Sequence, residues 1–129
     1  MAQIKIYGMK SNIERNISAI SDSIHDAVIS ALEYPQEKRF HRFIELEPSN
    51  FIYPNDRSEE YIIIEISLFE GRSIEAKKEL IRGIYSNLSL QIGVSTQDVE
   101  ITISETPKEN WGIRGIHGDE LVLEYKVEV

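Results

Sequence analysis

Cysteine is absent from the 129 residues, which excludes disulfides, thiolate zinc sites and a cysteine nucleophile. Basic side chains are few beside acidic ones, 14 Lys and Arg against 22 Asp and Glu, for a net charge of −8. Phosphate binding needs cations clustered on one face, so no nucleic acid is expected as a partner, and no membrane surface either. No apolar run approaches the length that spans a bilayer. The first residues, MAQIKIYG, go straight into a strand pattern without the basic and apolar regions of a signal peptide, so a cytoplasmic location is expected. His25, His41 and His117 are far apart and form no metal motif, so no metal is expected. The glycines of Trp111 to Asp119 lack the spacing of a phosphate loop and read as turns.

What is present is a repeated pattern. Tyr61 to Leu68 is rich in β-branched residues and reads as a strand, and Phe69 to Ser73 reads as a turn into a helix with Ser73 as N-cap. Ile74, Ile81, Ile84, Tyr85, Leu88 and Ile92 then recur at helical spacing, and Gly93 stops the helix. Val99, Ile101 and Ile103 alternate with Glu100, Thr102 and Ser104, the period of a half-buried strand. Strand, helix and strand make a βαβ unit over residues 61–107.

An earlier unit, residues 3–48, has the same plan. Gln3 to Tyr7 is its first strand, Gly8 to Lys10 a turn, and Ser11 with Glu14 has the form of a capping box. Ile13, Ile17, Ile20, Ile24, Ala27, Val28, Ala31 and Leu32 trace an apolar helical stripe, Tyr34-Pro35 ends it, and Phe40 to Leu46 returns as a strand. Shifted by sixty residues, Ile4, Ile6, Ile20 and Ile24 fall on Ile64, Ile66, Leu80 and Ile84, and with one residue of slippage Ile44 falls on Ile103. The expected fold is α/β: a tandem βαβ duplication forming a two-layer sandwich, with a mixed sheet and two long helices on one face.

The chain is short enough to form one domain, residues 1–129, and to profit from oligomerisation. Phe51, Ile52 and Tyr53, in the linker between the units, pack either on their own domain or on a neighbouring subunit or ligand. Residues 108–129 form a C-terminal loop and strand, in which Leu121, Leu123, Tyr125, Val127 and Val129 alternate with Glu120, Glu124, Lys126 and Glu128. Such a strand needs a partner, in a hairpin or across a subunit boundary. The polar sheet face, with Glu45, Glu65, Ser67, Glu100, Thr102 and Ser104, is either solvated or turned toward a junction between subunits.

Two βαβ units in this length, with Glu70-Gly71-Arg72-Ser73 and Lys77 opening the second helix, resemble the tautomerase superfamily. Ser21 to His25, Pro35 with Lys38-Arg39-Phe40, and Glu105-Thr106-Pro107 before Trp111 support the likeness, which covers nearly the whole chain. It is nearest to two-unit chains of the malonate semialdehyde decarboxylase and chloroacrylate dehalogenase type. The resemblance implies a homotrimer that needs no cofactor and acts on a small carboxylate-bearing enol or oxo acid. It also implies an N-terminal proline amine as acid or base, at the position that is Ala2 here. A free α-amino group, with an unperturbed pKa of roughly 7.7–8.0, can do similar work, although with Met1 retained the amine lies one residue out of place.

Arg72 matches the family's carboxylate-binding arginine, against the plainer reading of an exposed arginine in a first helical turn. His25 falls where the dehalogenase branch has an assisting histidine, or is a partly buried helix histidine whose counterpart is Tyr85. Lys38 stands where decarboxylase-like members carry an acid, which removes that style of water activation unless Glu37 takes its place. Arg39 belongs to a cationic group with His41 and Arg42 that is either a solvated strand edge or an anion site. Trp111 resembles the aromatic wall of the family's site, or is a core or interface residue. The alternative function is a catalytically inactive homo-oligomeric binding module of the same fold.

Overall fold

The computed structural model describes residues 2–123 and 125–129. Met1 and Glu124, named above for the amine and the terminal alternation, lie outside the described residues. The main elements run β1 (Ala2–Met9), α1 (Lys10–Leu32), β2 (His41–Leu46), β3 (Ile62–Phe69), α2 (Ile74–Ile92) and β4 (Val99–Thr106). A small hairpin follows, β5 (Gly112–Ile113) with β6 (Ile116–His117). The sheet order is β2-β1-β3-β4, parallel within each unit and antiparallel between β1 and β3 at the centre. This is the tandem βαβ duplication with a mixed sheet.

The two units match closely in register. Ile4 pairs with His41 as Ile64 pairs with Ile101, and Tyr7 with Ile44 as Ser67 with Ser104, an offset of sixty residues throughout. The slippage expected from sequence is therefore absent: Phe43, not Ile44, is the counterpart of Ile103, and both pack on the main core. The inward residues Ile4, Ile6, Ile64 and Ile66 meet Ile20, Ile24, Leu80 and Ile84 from the helices in one cluster. Each such aliphatic side chain contributes about 1.5–3 kcal/mol by leaving water. Glu45, Glu100, Thr102 and Ser104 on the opposite sheet face are exposed.

Several local expectations are corrected. No turn separates β1 from α1, because Gly8 and Met9 stay paired to Glu45 and Leu46 until the helix begins at Lys10. Ser11 then lies inside the first turn, where it cannot cap, and the N-cap position Met9 makes no side-chain bond. Helix α1 ends at Leu32, two residues before Tyr34, with Glu33 between them in the left-handed conformation at φ 50°. In α2, Ser73 caps as expected by accepting from the Ala76 N–H, and Gly93 terminates it at φ 66°. Ile74, however, is 71% exposed, and Ala76 and Leu80 take the inward places.

The linker packs on its own chain: Phe51 stacks on Tyr61 at 5.6 Å between centroids, with Tyr53 beside both, while Ile52 points outward. The C-terminal strand does not form among the described residues. Its alternation survives as burial without a ladder, since Val127, Leu121, Leu123 and Tyr125 pack around Phe69 and Trp111. Within the chain these side chains are covered by packing and not by an intrachain hairpin.

Candidate active site at the start of the second helix

Where α1 follows β1 directly, β3 and α2 are separated by Glu70, Gly71, Arg72 and Ser73. Gly71 turns the chain at φ 128°, a conformation that an L side chain adopts only with strain, and Ser73 sets the helix start. Between them Arg72 is folded inward, only 5% exposed, which removes the reading of it as a surface arginine. Its Nη1 donates to the Phe69 carbonyl at 3.3 Å. Nε and Nη2, the two donors along one edge of the fork, have no hydrogen-bond partner among the described residues. Burial pulls the guanidinium pKa down, opposed by the Tyr125 and Tyr34 phenols and by the Glu105 carboxylate. Lys77 pairs with Glu105 at 2.7 Å, which leaves that carboxylate shared between cations.

Strand pairing brings Ala2 to the same end, opposite Leu68. Ala2 is buried, and its nitrogen donates to the Tyr34 hydroxyl at 3.2 Å. Tyr34 in turn meets Tyr125 edge-on, with ring centroids 4.9 Å apart. Burial raises the pKa of both phenols, and the Arg72 charge works against that rise, so both are neutral near pH 7. Ala2, Arg72, Tyr34 and Tyr125 thus form one cluster of nitrogen, guanidinium and two hydroxyls.

Trp111 lies beside this cluster, edge-on to Phe69 at 5.0 Å between centroids. It also lines a depression of about 440 Å³ with Gln3, Arg42, Ser67 and Asn110.

The remaining candidates have partners of their own, with Lys38 and Arg39 just before β2 on the flank of the start of β1. Arg39 is paired with Asp22 at 2.6 Å and also reaches Ser21, beside a depression of about 450 Å³ lined by His41. His25 is 1% exposed and its Nε2 lies 2.7 Å from the Gln36 carbonyl, so that nitrogen carries the proton. Tyr85, its counterpart, likewise donates to a carbonyl, that of Val99, at 2.7 Å. His25 thus ties α1 to the segment before β2, and Tyr85 ties α2 to the first residue of β4. Burial, then the nearby charges of His25 and Arg39, hold His41 at about 4, with Asp22 opposing. The Lys38 N–H closes a turn onto the Pro35 carbonyl at 3.2 Å.

Tyr34 and Tyr125 were not singled out by sequence. The signal for Tyr34 was available: its counterpart sixty residues on is Val94, so a hydroxyl occupies a core position and needs a partner. No group of three or more metal-ligating side chains occurs among the described residues, and no helix among them is long and apolar enough to cross a membrane.

The family described as tautomerase enzyme matches residues 38–114. A probable tautomerase of Bacillus subtilis (strain 168), YusQ, is 28% identical over 116 residues, covering 86% of this chain and 91% of that protein. A 2-hydroxymuconate tautomerase of Comamonas testosteroni is 40% identical over 57 residues, 44% of this chain and 90% of the relative. That nearly all of a relative matches less than half of this chain agrees with two copies here. FG41 malonate semialdehyde decarboxylase inhibited by 3-bromopropiolate superposes with a TM-score of 0.76 at 30% identity, over 85% of this chain and 87% of its own. A fused 4-OT asymmetric trimer superposes at 0.80 with 20% identity, over 91% and 96%, a likeness of fold. Duplicated fold, matched family residues and related sequences agree, and the chain belongs to the tautomerase superfamily.

Proposed function

We propose that this protein is a tautomerase-type enzyme acting on a small carboxylate-bearing enol or oxo acid, with Arg72 as the carboxylate anchor and the Ala2 amine as the proton carrier. The observation that carries this reading is the buried guanidinium whose Nε and Nη2 have no hydrogen-bond partner among the described residues, with the Tyr125 phenol beside it, at the end of the sheet where Ala2 lies. A buried donor without a partner costs about 1–3 kcal/mol, and more when charged. A carboxylate bound side-on would satisfy both donors and offset the charge.

The reading needs the α-amine at Ala2, so Met1 must be removed; in the chain that keeps it, the Ala2 nitrogen is an amide. The free amine would lie near the Arg72 charge in a buried place, and both effects lower its pKa. In ketonisation the neutral amine takes the enol O–H proton, the O–H electron pair becomes the C=O bond, and the C=C electrons then take a proton from the ammonium to form the new C–H bond. The proton bound to nitrogen is delivered to carbon, so the amine ends as it began. No cofactor enters this chemistry.

Trp111 serves as a wall of the site in this reading, and Lys38 and Arg39, just before the strand that pairs with β1 near Ala2, with His25 behind them, are its further substrate-binding candidates. A homotrimer is part of the proposal. The solvent-facing Ile52 and Val122, 93% and 94% exposed, call for cover, and the fused 4-OT proteins it resembles are trimers. Light scattering at micromolar concentration would give a threefold mass, and a monomer would refute the assembly.

The test of function starts with mass spectrometry of the N-terminus, followed by ketonisation of phenylenolpyruvate and 2-hydroxymuconate. Turnover that falls about 100-fold in Arg72→Ala is expected. The second reading, an inactive binding module, is favoured by Ala2 standing where the family has proline. Carboxylate binding without turnover in material that begins at Ala2 would establish it instead.

A further inference from the structure

Among the groups around Arg72, Tyr34 is in direct contact with the Ala2 nitrogen. It lies just beyond α1, in the position that Val94 occupies in the other unit, and it is 3% exposed. A buried hydroxyl at an otherwise apolar position has a desolvation cost that must be recovered by a specific partner. It accepts from the Ala2 nitrogen at 3.2 Å, and Tyr125, whose ring packs edge-on against it, hydrogen-bonds it as well. An amine used as an acid–base group changes its needs during a cycle: when neutral it wants a donor, when protonated an acceptor. A carboxylate or a guanidinium serves only one of these states. A phenol rotates its hydrogen and serves both.

We propose that Tyr34 is a positioning residue for the reacting amine, its hydroxyl orienting the Ala2 nitrogen toward the Arg72 fork and keeping it hydrogen-bonded in both protonation states. The inference rests on the reading of the Ala2 amine as proton carrier, but the contact itself can be tested without turnover. The seat for the amine is thus built from the end of the first crossover, and the anion fork from the start of the second.

The experiment uses full-length protein whose N-terminus is verified as Ala2. Acetylation of the N-terminal amine by acetic anhydride, followed against pH by mass spectrometry, gives the amine pKa, and ketonisation is measured in parallel. Tyr34→Phe removes one oxygen. It should lower the amine pKa by about half a pH unit or more, because the buried ammonium loses its acceptor. It should also reduce kcat about tenfold with little change in KM, and move the base limb of the pH profile down with the amine. Tyr34→Met, of similar reach, provides the same comparison should Tyr34→Phe fail to fold. An amine titration unchanged in a folded variant overturns the proposal. A shifted titration in a protein without turnover upholds the positioning role and removes the catalytic one.

Discussion

The two ends of the central strand pair are built on one plan and differ in four residues of timing. In the first unit the helix follows the strand at once, and Asn12, sixty residues before Arg72, sits in its first turn. Its Nδ2 donates to the Glu60 carbonyl at 3.2 Å and its Oδ1 accepts from Asn16 at 2.9 Å, so the buried amide is satisfied on both sides. In the second unit Gly71 and Ser73 delay the helix, and Arg72 is folded under the turn with two donors unmet. Val94 replaces Tyr34 and Ile62 replaces Ala2 at the closed end. At one end the buried polar group is satisfied by internal bonds, and at the other two guanidinium donors have no partner among the described residues.

The largest expected effect comes from restoring the family residue at the open end. Ala2→Pro, with its N-terminus verified as proline, should raise ketonisation at least tenfold, since general acid–base groups contribute about 10² to 10⁴. A variant no faster than the parent would mean that the open end lacks more than its amine. Gly71→Ala tests the turn that makes the ends differ. A Cβ there meets Val127 Cγ1 at 3.0 Å and forces φ 128° on an L residue, so chemical denaturation should show a loss of about 1–3 kcal/mol together with weaker anion binding. Asn12→Ala makes the opposite case: about 1–2 kcal/mol lost in the same measurement, with turnover and anion binding intact.

The smallest effect lies away from both ends. His41 is held at about 4 against 6.5 for the free side chain, chiefly by burial, among His25, Arg39, Asp22 and Ser21. The unfolded chain therefore takes up the proton first, and stability should fall as pH drops from about 6.5 toward about 4 while staying flat above that window. For a half-buried ring the loss is about 1 kcal/mol, and His41→Gln should flatten urea midpoints across it. An unchanged slope would assign the acid sensitivity to other groups.

Periodicity made the fold legible, because burial on one face writes itself into every second strand residue and every third or fourth helix residue. Ser73 and Gly93 marked their helix ends because capping is local chemistry. Ser11 misled because the capping pattern is local while the ladder that keeps Gly8 and Met9 extended is not. In the terminal segment alternation records which side chains are covered, and within the chain Val127 is covered by packing and not by a hairpin. Within the site, Arg72 was named through the resemblance, but the state of its Nε and Nη2 donors depends on the burial that only folding creates. Tyr34 could be read only by asking why a hydroxyl occupies the place of Val94.

The central claim is that Arg72 is a carboxylate anchor at the one open end, and malonate-dependent thermal protection tests it most directly. Wild-type protein should melt at progressively higher temperature with malonate, as binding to the native state alone requires. Arg72→Ala should show no such rise while melting close to wild type without ligand, since it removes an unpaired buried charge along with its few contacts. Equal protection of both proteins would contradict the account.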